Sequence, residues 1–205
     1  MDGATCRVKG GYGAAGAGKS AIAHSLAEIC DKSECLLATF FFWKTAAERS
    51  SITRFVATIA YQIARAIPAS RSHIETAVDA DPMIFHQSID SQLAKLIIEP
   101  LRRLHSTGFD FKDSPFVIIV DGLDECQGTD MQSGLVKSLA AAFCGSPFCI
   151  LILIASRPEV GAFRAGADFQ FQFQFAESDL SKLPSTFGPI TTTTQDRQQP
   201  QAWQG

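Results

Sequence analysis

The apolar positions of the chain switch repeatedly between a helical period and short unbroken runs. From Ser20 onward, Ile22, Leu26, Ile29 and Cys30 recur on one helical face, and Asp31-Lys32-Ser33 ends the segment. Residues 35–43 form a continuous, aromatic-rich run that predicts a strand buried on both faces. Ile52, Phe55, Val56, Ile59 and Ile63 predict a helix that stops at Pro68, and residues 70–81 a less regular one. Ile89, Leu93, Leu96, Ile97, Leu101 and Leu104 then repeat at helical spacing, with Pro100 expected to kink that helix. Residues 116–121 are a β-branched run ending on a carboxylate, which reads as a central parallel strand. Thr129-x-x-Gln132 has the form of a capping box opening a helix along Met131, Leu135, Leu139 and Phe143, with Gly145 as its stop. Residues 148–155 read as a second buried strand that runs straight into Ser156-Arg157-Pro158-Glu159.

The two ends of the chain are less regular. Residues 5–11 alternate weakly and finish in Gly10-Gly11, which predicts only a short, poor opening strand. The strict Phe/Gln alternation of residues 169–175 predicts an edge strand with one wet face, and the polar, Thr- and Gln-rich chain from Ser181 a disordered tail. Strands alternating with helices define an α/β fold: a three-layer α/β/α sandwich with a mostly parallel sheet. Ligands of such sheets sit beyond the carboxyl ends of the strands.

One stretch carries the chemistry. Gly13-Ala14-Ala15-Gly16-Ala17-Gly18-Lys19-Ser20 fits the phosphate-loop pattern G-x-x-x-x-G-K-[ST] at every fixed position. Small residues let backbone N–H groups from Gly13 to Ala21 wrap an anion. Lys19 adds a point charge for the outer phosphates, Ser20 offers a hydroxyl to Mg²⁺, and the helix that begins there turns its positive end to the ligand. The overlapping Gly11-x-Gly13-x-x-Gly16 is a poor dinucleotide fingerprint, since no acidic residue closes a second strand at the required distance. Asp121, at the end of its strand, is the second expected Mg²⁺ ligand. Asp124 and Glu125 follow it and are suited to orient or deprotonate a water that attacks the γ-phosphate, Glu125 the better placed of the two. Arg157 at a strand end is a cation suited to a phosphate oxygen.

Composition narrows the field. With 205 residues, 46% hydrophobic and 10% aromatic, the chain can build a sizeable core as one domain. A net charge of −3 and a pI near 5.8 give no broad basic surface, so nucleic acid is not an expected partner. The six cysteines include no C-x-x-C pair and the four histidines no ligand-like spacing, which predicts reduced thiols and no structural metal. No run approaches the roughly 18 apolar residues of a membrane span, and residues 1–12 lack an apolar leader. A cytosolic location follows as the expectation.

Three motifs in this order resemble a known family. The phosphate loop, the strand into Asp121-Gly122-Leu123-Asp124-Glu125-Cys126, and Ile154-Ala155-Ser156-Arg157-Pro158-Glu159 look like those of the NACHT domains of fungal NOD-like proteins, a resemblance that extends through Ala60-Tyr61-Gln62-Ile63 and Ile97-Ile98-Glu99-Pro100-Leu101. It implies a STAND-class signalling NTPase, with the Arg157 strand lying between the phosphate-loop strand and the Asp121 strand, and with Arg157 as the sensor of the γ-phosphate. On this reading residues 1–12 lead in, 13–178 are a NACHT-like nucleotide-binding domain and 179–205 a polar tail. No winged-helix segment or repeat array follows Glu159, a departure from the family that leads to the expectation of a nucleotide-binding core cut from a longer architecture or a gene fragment with an unrelated end.

The expected function is therefore a nucleotide-dependent switch that binds ATP or GTP with Mg²⁺, hydrolyses it slowly, and is read by self-association or a signalling partner. A P-loop small-molecule kinase would need an acceptor pocket, and the Asp124-Glu125 pair argues for water as the acceptor. A binding module without turnover is the remaining alternative. A Ras-like GTPase is disfavoured because its guanine-selecting N-K-x-D motif needs asparagine, which the chain lacks altogether.

Overall fold

The computed structural model describes residues 8–12, 16, 18–45, 51–111, 116–144 and 146–157. The Phe/Gln alternation of 169–175, the polar tail and the Gly145 helix stop lie outside them. Four strands, β1 (Val8–Tyr12), β2 (Leu36–Phe41), β3 (Phe116–Asp121) and β4 (Ile150–Ser156), form one all-parallel sheet in the order β1-β4-β3-β2. The strand that leads into Arg157 thus lies between the phosphate-loop strand and the Asp121 strand, as the resemblance implied.

Helix α1 (Lys19–Lys32) covers one face of the sheet, where Ala23 and Cys30 pack with Val117, Ile119 and Leu153. The alternate positions Ile118, Val120, Ile152 and Ile154 point to the other face. There they meet a thicker layer built from α2 (Phe55–Ala66), α3 (Arg71–Ala80), α4 (Ile89–Leu93), α5 (Glu99–Ser106) and α6 (Thr129–Phe143). Helices on both faces of a parallel sheet make this an α/β/α layered fold. It also explains why β3 and β4 read as unbroken apolar runs, since neither face meets water.

Several expectations shift in detail. Ile22 is 58% exposed, and the inward face of α1 is centred on Ala23, Leu26, Ala27 and Cys30 instead. Alanine at the contact lets the helix approach the sheet more closely than isoleucine would. Met131 of α6 is likewise exposed, with Val136 and Ala140 buried in its place. Gly10 and Gly11 do not end β1 but lie within it, opposite Ile154 and Ala155, because pairing with β4 outweighs their low strand propensity.

The β2 run is shorter than expected. Trp43 is 56% exposed, and β2 is an edge strand of the described sheet. Its edge is closed from the side by Gln62 of α2, which meets the Thr39 main chain. Pro100 does not break its helix. The chain passes from α4 through a π turn at Ala94–Ile98 into α5, with Pro100 in the first turn of α5. Proline has no N–H to donate and its ring crowds the carbonyl four residues back, so a wider turn just before it accommodates both.

Thiol chemistry also departs from expectation at one residue. Cys30, Cys35 and Cys126 are free thiols, whereas Cys144 is disulfide-bonded. No described helix is long and apolar enough to cross a membrane.

Candidate functional site

The parallel register brings the carboxyl ends of all four strands to one edge. Tyr12 lies opposite Ser156, Val120 opposite Ile154, and Phe41 opposite Asp121. The loop from β1 to α1 therefore emerges beside Ser156 and Arg157, with the acidic turn one strand further on.

Within that loop Gly16 and Gly18 both have φ of +77°, the left-handed region that glycine enters without strain. Gly18 is the residue before α1, and no side chain caps the helix there. The first helical N–H acceptor is Gly18 O, bonded by Ile22 N at 3.0 Å. The N–H groups of Lys19, Ser20 and Ala21 thus precede the first intrahelical bond, and no acidic residue stands in the first turn to answer them. Lys19 is partly exposed and Ser20 exposed. Gly13, Ala14, Ala15 and Ala17 lie outside the described residues.

Asp121 ends β3 and is only 6% exposed. Among the described residues no donor reaches its carboxylate, while its carbonyl accepts Phe42 N–H at 2.9 Å and so extends the β2–β3 pairing. The Asp121 oxygens are not among the buried unpartnered side-chain atoms of the described residues, and a strand-end carboxylate with no described donor is open to a cation. Among the described residues no group of three or more His, Cys, Asp or Glu side chains could hold a metal ion. Ser20 and Asp121 offer two oxygen donors, which suits Mg²⁺, since that ion keeps several waters and phosphate oxygens in its own shell.

After Asp121 the chain turns sharply. Gly122 has φ of +70°, and a Cβ there would stand 3.0 Å from the Phe42 carbonyl oxygen. Only glycine fits. A single turn of 3-10 helix, Leu123–Glu125, follows and anchors itself with the fully buried Leu123. Its two carboxylates diverge. Glu125 Oε2 accepts the Lys44 N–H at 2.9 Å, tying the turn to the end of β2. Asp124 points the other way, to β4, with Oδ1 accepting the Arg157 N–H at 3.0 Å and Oδ2 at 2.9 Å from Arg157 Nε.

Gln132, which spacing marked as part of a capping box, has a different place. Thr129 is the first residue of α6 and makes no cap; Gly128 precedes it. The buried Gln132 amide instead donates to the Asp124 and Cys126 carbonyls, at 3.3 and 2.7 Å, and braces the acidic turn from behind. Its signal in the sequence was polarity on an otherwise apolar helical face. Burial pushes the Cys126 thiol above its ordinary range, so it stays protonated beside these carboxylates. Other grooves lie away from this edge. One of about 710 Å³, lined by Asp31, Glu34, Gln62 and Arg65, sits at the far end of α1 from Lys19 and contains none of the strand-end residues.

A parallel α/β/α sheet with left-handed glycines, a nearly buried strand-end aspartate and a paired arginine on one edge defines an α/β protein whose candidate site lies at the carboxyl edge. Within that class the family is shown. The chain belongs to the family described as Nephrocystin 3, N-terminal, whose model matches residues 6–157, a NACHT-like region. No curated protein and no solved structure matches the chain.

Proposed function

We propose that the chain is the nucleotide-binding core of a NACHT-type switch, taking ATP or GTP together with Mg²⁺. The observation that carries this reading is the Asp121 carboxylate, 6% exposed and without a donor among the described residues, on the same edge as the left-handed glycines and the uncapped start of α1. The family match supports it at the level of a NACHT-like region.

The backbone N–H groups at the start of α1 and the Lys19 ammonium would hold the β- and γ-phosphates. Ser20 and Asp121 are the residues that would hold Mg²⁺, which neutralises phosphate charge when bound. Glu125 leaves Oε1 outside any hydrogen bond among the described residues, so it can still orient a water. Asp124 has both oxygens engaged. Slow hydrolysis would then reset the state that a partner or a second copy reads.

Titration of the purified chain with fluorescent ATP, ADP and GTP, with and without Mg²⁺, tests this. Lys19→Ala should weaken triphosphate binding by at least about tenfold, the loss of one charge-assisted contact, with the melting temperature recorded alongside to separate loss of binding from loss of fold. Equal affinity in the variant and the native chain would overturn the reading.

A further inference from the structure

Both carboxylate oxygens of Asp124 face the end of β4. Oδ1 accepts the Arg157 backbone N–H at 3.0 Å and the hydroxyl of the fully buried Ser156 at 3.4 Å, while Oδ2 stands 2.9 Å from Arg157 Nε. The Asp124 side chain is 16% exposed, the Arg157 side chain 50%. These donors take up both oxygens, leaving Asp124 none with which to orient a water.

What Asp124 does fix is Arg157. With its main chain and Nε both held, the arginine has lost much of its rotamer freedom before any ligand arrives. Among the described residues no hydrogen bond reaches Nη1 or Nη2. Those two nitrogens are the outer edge of a planar fork that matches phosphate oxygens. The support is itself braced, since Gln132 holds the Asp124 carbonyl and Glu125 ties the same turn to Lys44.

We infer that Asp124 is a positioning residue: it fixes Arg157 so that Nη1 and Nη2 receive a terminal phosphate, and it thereby sets the preference of the site for a nucleoside triphosphate over a diphosphate. This rests on the proposed nucleotide site and names the residue behind its γ-phosphate selectivity. An arginine without this support would have to be ordered by each incoming ligand, and part of its attraction would be lost.

The test compares the affinity of a non-hydrolysable ATP analogue with that of ADP, each with Mg²⁺, so that turnover plays no part. Asp124→Asn is the key variant: nearly isosteric, it keeps one oxygen for the Arg157 N–H but turns an NH₂ group toward Nε. The triphosphate-to-diphosphate preference should fall on the order of tenfold, as expected for a charge-assisted contact, with ADP affinity unchanged. Arg157→Ala should lower it equally, and Asp124→Asn in the Arg157→Ala background should lower it no further. Melting temperatures recorded for every variant separate loss of selectivity from loss of fold. A preference unchanged in Asp124→Asn but lowered in Arg157→Ala would overturn the inference. So would a raised preference, which would mean that Asp124 withholds Arg157 from phosphate. Absence of any Lys19-dependent binding of ADP to the native chain would sink the nucleotide reading itself, and the inference with it.

Discussion

The Gln62 side chain bonds Thr39 twice, as a neighbouring strand would. Its Oε1 accepts the Thr39 N–H at 3.0 Å and its Nε2 donates to the Thr39 carbonyl at 2.8 Å. One amide of α2 thus answers both polar groups of an edge residue that would otherwise invite another chain to pair there.

Replacing Gln62 with Leu should leave the Thr39 N–H and carbonyl without partners in a part-buried place, costing about 1–3 kcal/mol. Urea unfolding would show a lower midpoint at unchanged slope. Gln62→Glu keeps an acceptor but no donor, and should fall between the two. Nucleotide affinity should be unaffected, since Gln62 lines the groove at the far end of α1.

Gly122→Ala should destabilise the fold and loosen the acidic turn together. The new methyl would meet the Phe42 carbonyl oxygen at 3.0 Å in a left-handed conformation that alone costs roughly 1–2 kcal/mol. Relieving the contact would strain the bond from Phe42 N to Asp121 O. Thermal unfolding reads the first effect and Mg²⁺-dependent nucleotide binding the second. An alanine variant as stable as the native chain would show that the ends of β2 and β3 can shift apart freely.

Asp121→Asn should separate function from stability. Since no described donor reaches the carboxylate, the nucleotide-free melting temperature should be little changed. Nucleotide affinity in the presence of Mg²⁺ should fall, while affinity in chelator stays as it was. A fall of equal size in chelator would remove Asp121 from the metal site.

Glu125→Gln should keep nucleotide binding and lower single-turnover hydrolysis by about a hundredfold or more, the usual yield of a positioned general base. The amide can retain the Lys44 contact through its oxygen, so the turn should hold its shape. Normal turnover in this variant would exclude Glu125 as the water-orienting residue.

How far these features could be read in advance depends on what the sequence writes locally. The β-branched run that ends at Asp121 announced a strand and its terminal carboxylate, because burial on both faces leaves no polar interruption. The inward face of α1 was not legible: Ile22 and Ala23 both fit a helical period, and only closeness to the sheet selects the alanine. Gly10 and Gly11 made β1 read as a short, poor strand, because its stability comes from β4, far along the chain. The pattern at Thr129 and Gln132 was misleading for a related reason. A polar residue three places into a helix can serve its own helix or a neighbouring turn, and the Asp124 and Cys126 carbonyls claim it here. That Asp124 and Arg157 would meet followed from neither residue alone, but from β3 and β4 lying side by side.

The central place of β4 has a consequence for how the chain comes off the ribosome. β1 pairs only with β4 in the described sheet, so the glycine-rich segment, made first, waits for residues 150–156 before its backbone finds a partner. Such long-range closure is slow to form and leaves strand edges open meanwhile. It also makes assembly of the site nearly all-or-none. Amide protection in β1 should arise together with that in β4 during refolding, so a chain that has secured its phosphate loop already has Arg157 at the adjoining strand end.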